Sequence, residues 1–142
     1  MTIAPASQNN FSSAIALLKE SGLPTEDITE STQLFVAEQD DKVIGTVAIE
    51  HDRHYALLRS LSVIQEKRNS GVGAELVGFV ESYAKKQDVT AIYILTTTAE
   101  RFFSNRSYRP VPREEVPSFI KNTSEFRSVC PASSTIMLKQ LS

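Results

Sequence analysis

Hydrophobic positions recur along this chain at two spacings, and the spacings divide it into helices and strands. Phe11, Ala14, Ile15 and Leu18 follow at helical intervals, and Ser21-Gly22 with Pro24 supplies a stop, which predicts an amphipathic helix from about Ser7 to Glu20 lying on a sheet. Leu23 to Thr32 is polar apart from Leu23 and Ile28 and predicts a loop or a short second helix near the surface. Leu34 to Ala37 and Val43 to Ile49 are β-branched or aromatic runs separated by Gln39-Asp40-Asp41-Lys42, which reads as a hairpin. A second polar turn, His51-Asp52-Arg53-His54, leads into a strand from Tyr55 to Ile64, so three strands form an antiparallel meander.

The period then changes to that of a helix. Val72, Leu76, Val80 and Tyr83 make one stripe, Val77 and Ala84 widen it, and Lys85-Lys86 close a helix that runs from Ala74 onward, where cations suit the helix dipole. Ala91 to Leu95 is nearly continuously apolar, as expected of a buried strand pairing parallel to its predecessor across a helical crossover. A short helix from Ala99 to Asn105, a strand from Tyr108 to Val111, a helix from Arg113 to Thr123 and a final strand from Thr135 to Leu141 complete the prediction.

Chemistry concentrates where the strand meets the helix. Leu57 to Ile64 runs into Gln65-Glu66-Lys67-Arg68-Asn69-Ser70-Gly71-Val72-Gly73, and this loop opens directly into the helix. Successive backbone N–H groups and the helix N-terminus then converge on one point, which suits an anion. Gly71 and Gly73 let backbone approach a phosphate without an intervening Cβ, and Arg68 adds a charge-assisted donor. A dinucleotide fingerprint would need glycine at Leu76, and a P-loop would need a Gly-Lys-Ser/Thr ending that is absent. A bare strand-to-helix turn would also use two glycines, but the arginine and the amphipathic helix favour a cofactor.

Composition narrows the partners. The chain has 142 residues, 41% hydrophobic and 23% charged, which fits one domain with a sizeable core. Fifteen basic against seventeen acidic residues give a net charge of −2, so no diffuse positive field draws it to nucleic acid or to an anionic membrane. Cys130 is the sole cysteine, which excludes an intrachain disulfide and suits a reducing cytoplasm. No basic leader precedes an apolar core at the N-terminus, and no apolar run is long enough to span a bilayer, so neither export by that route nor membrane insertion is expected.

Arg68-Asn69-Ser70-Gly71-Val72-Gly73, after a strand ending Leu61-Ser62-Val63, closely resembles the acetyl-CoA motif of the GNAT acyltransferases. The predicted order of elements is also that of the GNAT fold, an α/β (α+β) acyl-CoA N-acyltransferase fold: a mixed, mostly antiparallel sheet flanked by helices, with a splayed parallel strand pair. The resemblance covers nearly the whole chain as a single domain, 1–142. Gly22 to Asp27, Leu57 to Leu61, and the tail Val111 to Pro117 with Phe126 to Pro131 are similar to the small amino-acid and arsenic-resistance-associated N-acetyltransferases, and more distantly to the acetyltransferase domain of N-acetylglutamate synthases. The segment from Leu23 to Thr32 commonly borders the acceptor pocket in such enzymes.

What the resemblance implies is transfer of an acetyl group from acetyl-CoA, as co-substrate, to the amine of a small molecule, an amino acid or amino-acid-like compound, by direct attack on the thioester. Leu61, Ser62 and Val63 would align the acetyl-pantetheine arm through their backbone. Arg68, Asn69, Ser70, Gly71, Val72 and Gly73 would hold the pyrophosphate, with Phe102 as a further cofactor contact. No metal, nucleic acid or membrane is implied, and a homodimer is left open. Many such enzymes carry a Phe-Tyr pair ahead of Gly-Tyr or Gly-Phe, the tyrosine of the pair protonating the departing thiolate. Here the aligned residues are Phe102-Phe103 and Ser107-Tyr108, so Tyr108 or a water takes that role, or none is needed; Gln65 replaces a common proline. The missing tyrosine also motivates a second reading, a non-catalytic acyl-CoA-binding or regulatory module.

Three further residues invite a role. Arg59 sits among apolar neighbours, and by strand alternation shares the side of Leu57, Leu61 and Val63. A buried cation needs a carboxylate, either the protein's own or that of an amino-acid acceptor. Glu50 and His51, at a strand end, are the nearest candidates for a general base. His51 and His54 read more readily as solvated turn residues than as metal ligands. Cys130 lacks an identifiable activating base, which argues against an acetyl-enzyme.

Overall fold

The computed structural model describes residues 1–28, 32–129 and 134–141, so Cys130 and Pro131 lie outside the described residues. The elements are β1 (Thr2–Pro5), α1 (Phe11–Glu20), β2 (Gln33–Gln39), β3 (Lys42–His51), β4 (Tyr55–Val63), α2 (Val72–Lys86), β5 (Ala91–Thr96), α3 (Glu100–Ser104), β6 (Arg109–Pro110), α4 (Ser118–Lys121) and β7 (Thr135–Gln140). The strands hydrogen-bond in the order β1-β2-β3-β4-β5-β7-β6, mostly antiparallel with β4 and β5 parallel, which is the mixed sheet expected. By internal contacts the chain forms two units, Met1–Glu50 with Leu58–Tyr83, and His51–Leu57 with Ala84–Ser142.

In the first unit, Gln39 pairs with Lys42 across Asp40 and Asp41, both left-handed at φ 54° and 62°. Two residues with positive φ give a hairpin turn whose twist matches that of the strands, and Asp tolerates this conformation better than most side chains. The added strand β1, with Ile3 opposite Ala37, was not legible. Four mostly exposed residues ending in proline carry no usable period, and an edge is where a strand tolerates proline.

Helix α1 begins later than the pattern predicts. Residues 7–10 form a turn instead, in which Asn10 Oδ1 accepts the Ser7 N–H at 2.7 Å and the Ser7 carbonyl accepts that of Phe11 at 2.9 Å. Its buried face is Ala14, Leu17 and Leu18, whereas Phe11 is 44% exposed, so the stripe is rotated from the one predicted. The stop is as expected: Gly22 is left-handed at φ 72°, and its N–H and that of Leu23 return to the carbonyls of Lys19 and Leu18. Ala14, Leu17, Leu34, Val36, Val43 and Ala48 pack as one core cluster. Phe35 lies edge-on to Phe79 and Tyr83 of α2, at 5.0 and 5.3 Å between ring centroids.

Gly45 lets α2 sit close to β3. A Cβ there would lie 2.9 Å from Leu76 Cδ1, 3.1 Å from the Ser62 carbonyl oxygen and 3.3 Å from Val72 Cγ1. The backbone oxygen cannot yield as a side chain can, so Gly45→Ala should destabilise by about 1–3 kcal/mol, read from the midpoint of chemical denaturation. A midpoint equal to that of wild type would mean that helix and strand are not held this closely.

In the second unit, β5 pairs antiparallel with β7 from Ala91 opposite Gln140 to Thr96 opposite Thr135, and β6 adds beyond β7. Leu57, Ala91, Tyr93, Val111, Val116, Ile120, Ile136 and Leu138 form its core. The helix predicted from Arg113 to Thr123 is instead a 3₁₀ turn over Arg113–Glu115 followed by α4. Pro117 disfavours helical backbone at the residue before it, and Val116 is extended at ψ 132°. Glu125–Val129 follows as a π-helical turn.

Candidate active site

The site is built upward from β4. Ser60, in mid-strand, is left-handed at φ 58°, and its carbonyl accepts a hydrogen bond from Thr46 Oγ1 of β3 at 2.8 Å. A non-glycine residue in this region costs on the order of 1–3 kcal/mol and persists because its surroundings enforce it. Two-residue alternation therefore cannot be carried across Ser60, and the side predicted for Arg59 from Leu61 and Val63 does not follow. Sequence carried no signal for this, because serine is unremarkable in a strand.

Beyond Ser60 come Leu61, Ser62 and Val63, whose backbone was expected to align an acyl arm. The Ser62 hydroxyl is hydrogen-bonded to that of Ser21 at the end of α1, and the Val63 carbonyl accepts from Arg68 Nε at 3.0 Å. A 3₁₀ turn over Gln65–Lys67 leads into the loop. Asn69 and Gly71 are left-handed at φ 64° and 95°, and Ser70 Oγ donates to the Lys67 carbonyl. Left-handed residues at alternate positions are the backbone form that gathers N–H groups into an anion-binding concavity.

Residues 68–71 are exposed, and a Cβ built on Gly71 meets nothing within 4 Å. Glycine here serves its dihedral angle and keeps space open beside the backbone. Val72 and Gly73 already belong to α2, two residues earlier than predicted, so the helix begins inside the loop motif and its 15 residues aim their dipole there. These residues fit a phosphate-bearing group through exposed N–H donors, one guanidinium and a helix N-terminus.

Arg59, 3% exposed, is paired with two protein carboxylates. Nη1 donates to Asp27 Oδ2 at 2.6 Å and to Glu50 Oε2 at 2.9 Å, Nη2 donates to Asp27 Oδ1 at 2.7 Å, and Nε to Ser60 Oγ at 3.3 Å. Of the two partners left open by the sequence, the protein's own carboxylates occupy the guanidinium. Asp27 was not singled out beforehand: it lies 32 residues away in a polar loop with no distinguishing period. Glu50 Oε2 accepts its bond from Nη1 while its side chain stays 15% exposed.

Phe102 and Tyr108 belong to the second unit. The Arg106 guanidinium stacks 3.9 Å over the Phe102 ring and donates through Nη1 to the Phe102 carbonyl at 3.0 Å. Tyr108 is buried, edge-on to Phe103 at 5.4 Å, with the Lys139 ammonium 5.6 Å above its ring. Ser107 is left-handed at φ 74°, so the turn forms with serine carrying the strained angle.

The histidines sit in a turn organised by Asp52. Its Oδ1 accepts the N–H groups of His54 and Tyr55, each at 2.8 Å, and His51 Nδ1 donates to its carbonyl at 3.0 Å. Burial pushes the Asp52 carboxyl up, but those two N–H groups and the neighbouring imidazoles outweigh it and leave it below the usual carboxylate value. No group of three or more His, Cys, Asp or Glu is placed to hold a metal among the described residues. No helix there is long and apolar enough to cross a membrane.

Against known proteins, an uncharacterized N-acetyltransferase of Chlorobaculum tepidum is 34% identical over 97 residues, which are 67% of this chain and 62% of that protein. An amino-acid acetyltransferase of Pseudomonas fluorescens is 30% identical over 91 residues, 63% of this chain and only 21% of that longer protein. Among solved structures, N-acetylglutamate synthase from Neisseria gonorrhoeae, complexed with coenzyme A and N-acetyl-glutamate, superposes with a TM-score of 0.84 at 19% identity. That superposition covers 99% of this chain and 35% of the synthase. The model of the acetyltransferase (GNAT) family matches residues 8–110, spanning β4, the left-handed loop and α2, and the chain therefore belongs to the GNAT acetyltransferase family.

Proposed function

We propose that this chain transfers an acetyl group from acetyl-CoA to the amine of a small molecule, an amino acid or amino-acid-like compound, by direct attack on the thioester. The observation that carries the reading is the loop from Arg68 to Gly73, left-handed at alternate positions and opening straight into a 15-residue helix. The similarity to proteins named amino-acid acetyltransferase supports the acceptor class.

The thioester of acetyl-CoA supplies an acyl group already activated for attack. The N–H groups of residues 68–73 and the start of α2 bind its pyrophosphate, and the backbone of Leu61 to Val63 orients the arm. Glu50 takes a proton from the acceptor's ammonium, directly or through water, so that the nitrogen lone pair can form the C–N bond as the C–S bond breaks. The second proton, lost by the nitrogen as it becomes an amide, reaches the departing thiolate through water or passes to solvent. A thiolate is a tolerable leaving group near neutral pH, so Phe103 in place of the usual tyrosine need not abolish turnover.

Release of CoA thiol is the test, measured against a panel of amino acids and their decarboxylated amines. Turnover should appear with at least one amino acid and exceed that with its decarboxylated counterpart. Tight CoA binding with no thiol release from any amine would instead identify a non-catalytic acyl-CoA-binding module, and equal rates on both kinds of acceptor would remove the amino-acid class.

A further inference from the structure

We propose that Asp27 is a positioning residue: by holding the Arg59 fork it limits the cation's grip on Glu50 and leaves that carboxylate able to accept a proton. This rests on the reading of Glu50 as the proton acceptor. Nη1 divides its two N–H groups between Asp27 and Glu50, while Nη2 is held by the other Asp27 oxygen, so Asp27 takes the bidentate edge of the guanidinium and Glu50 receives one bond. One cation thus faces two carboxylates, and Asp27 holds it by the greater number of bonds.

The clamp has little freedom. The Arg59 side chain is fully buried and next to the left-handed Ser60. The loop bearing Asp27 is tied where it leaves α1 by the Ser21–Ser62 hydrogen bond, and beside Asp27 by the Ile28 N–H on the Thr25 carbonyl. A guanidinium released from Asp27 would turn its fork on Glu50 and engage both of its oxygens, lowering the proton affinity of the base. Asp27 thus holds the cation half away from Glu50. Arg59 from β4 bonds Glu50, Asp27 from the loop after α1 shares that cation, and the next ionisable residue on the strand of Glu50 is His51, whose Nδ1 is bonded to the Asp52 carbonyl.

Two readouts test this. Carbon-13 NMR of protein labelled at glutamate carboxyls, with the Glu50 signal assigned by its loss in Glu50→Gln, follows the titration of the group directly. The pH dependence of kcat/KM, with acetyl-CoA and the fastest acceptor of the amine panel, follows its use as a base. In Asp27→Asn both the Glu50 titration and the acid limb should move down by about one pH unit, with a lower plateau because a weaker base accepts the proton less readily. Asp27→Glu should return the limb toward wild type. Arg59→Lys, which loses the fork and holds Glu50 less firmly, should move both upward, and it provides the reading even where Asp27→Asn does not fold.

A purely structural role predicts a lower melting temperature and a uniform loss of rate with the limb unmoved. A Glu50 signal that does not shift in Asp27→Asn or Arg59→Lys overturns the inference while leaving acetyl transfer standing. A signal that shifts without the acid limb following, or an enzyme with no turnover, shows that Glu50 is not the base, and the positioning role falls with it.

Discussion

Gly71→Val should lower the affinity for coenzyme A by roughly ten- to a hundredfold, the loss expected when one or two charge-assisted hydrogen bonds to a phosphate are removed. The cause is conformational. Gly71 stands at φ 95°, which a β-branched side chain avoids, and nothing within 4 Å would clash with a Cβ. The valine chain relieves strain by leaving the left-handed region, and the N–H groups of residues 70–73 then no longer point to one place. Asn69, at φ 64°, supplies the opposite control: Asn69→Gly relaxes the same kind of angle and should keep or improve affinity. Calorimetric titration of both variants with CoA decides the matter, and unchanged affinity in Gly71→Val would remove the loop as the phosphate site.

Arg59→Ala should be the most destabilising single change, by about 3–5 kcal/mol, because it leaves two carboxylates facing each other without their cation. For a chain of this length that is roughly 10 °C or more of melting temperature. A neutral triple variant, Arg59→Met with Asp27→Asn and Glu50→Gln, should recover much of the loss, since the penalty lies in unpaired charge and not in lost packing. A thermal melt of Arg59→Ala that matches wild type across pH would contradict the ion triad.

The hairpin at Asp40-Asp41, the stop at Gly22 and the loop at Gly71 were all legible in the sequence because each depends on local backbone preference, which neighbours three or four residues away suffice to express. The buried face of α2 was legible for the same reason: Val72, Leu76, Val77, Val80 and Ala84 are its buried residues at the predicted spacing. The rotation of α1 was not, since Phe11 and Leu17 are both apolar and only the sheet beneath decides which is covered. Nor was β1, whose strand character comes from its partner Glu38 to Phe35 and not from its own four residues.

At the candidate site the division is sharper. The sequence by itself determined the family, the glycine loop that opens into α2, and the requirement that Arg59 find a carboxylate, because glycine spacing and the desolvation of a charge are properties of residue types. Which carboxylate it finds was decided only in three dimensions. Asp27 and Glu50 come from a loop and a strand 32 and 9 residues away from Arg59, and the left-handed Ser60 beside it breaks the alternation by which a strand's side chains are assigned to faces. Contacts over such separations depend on how whole elements pack, and no local period records them.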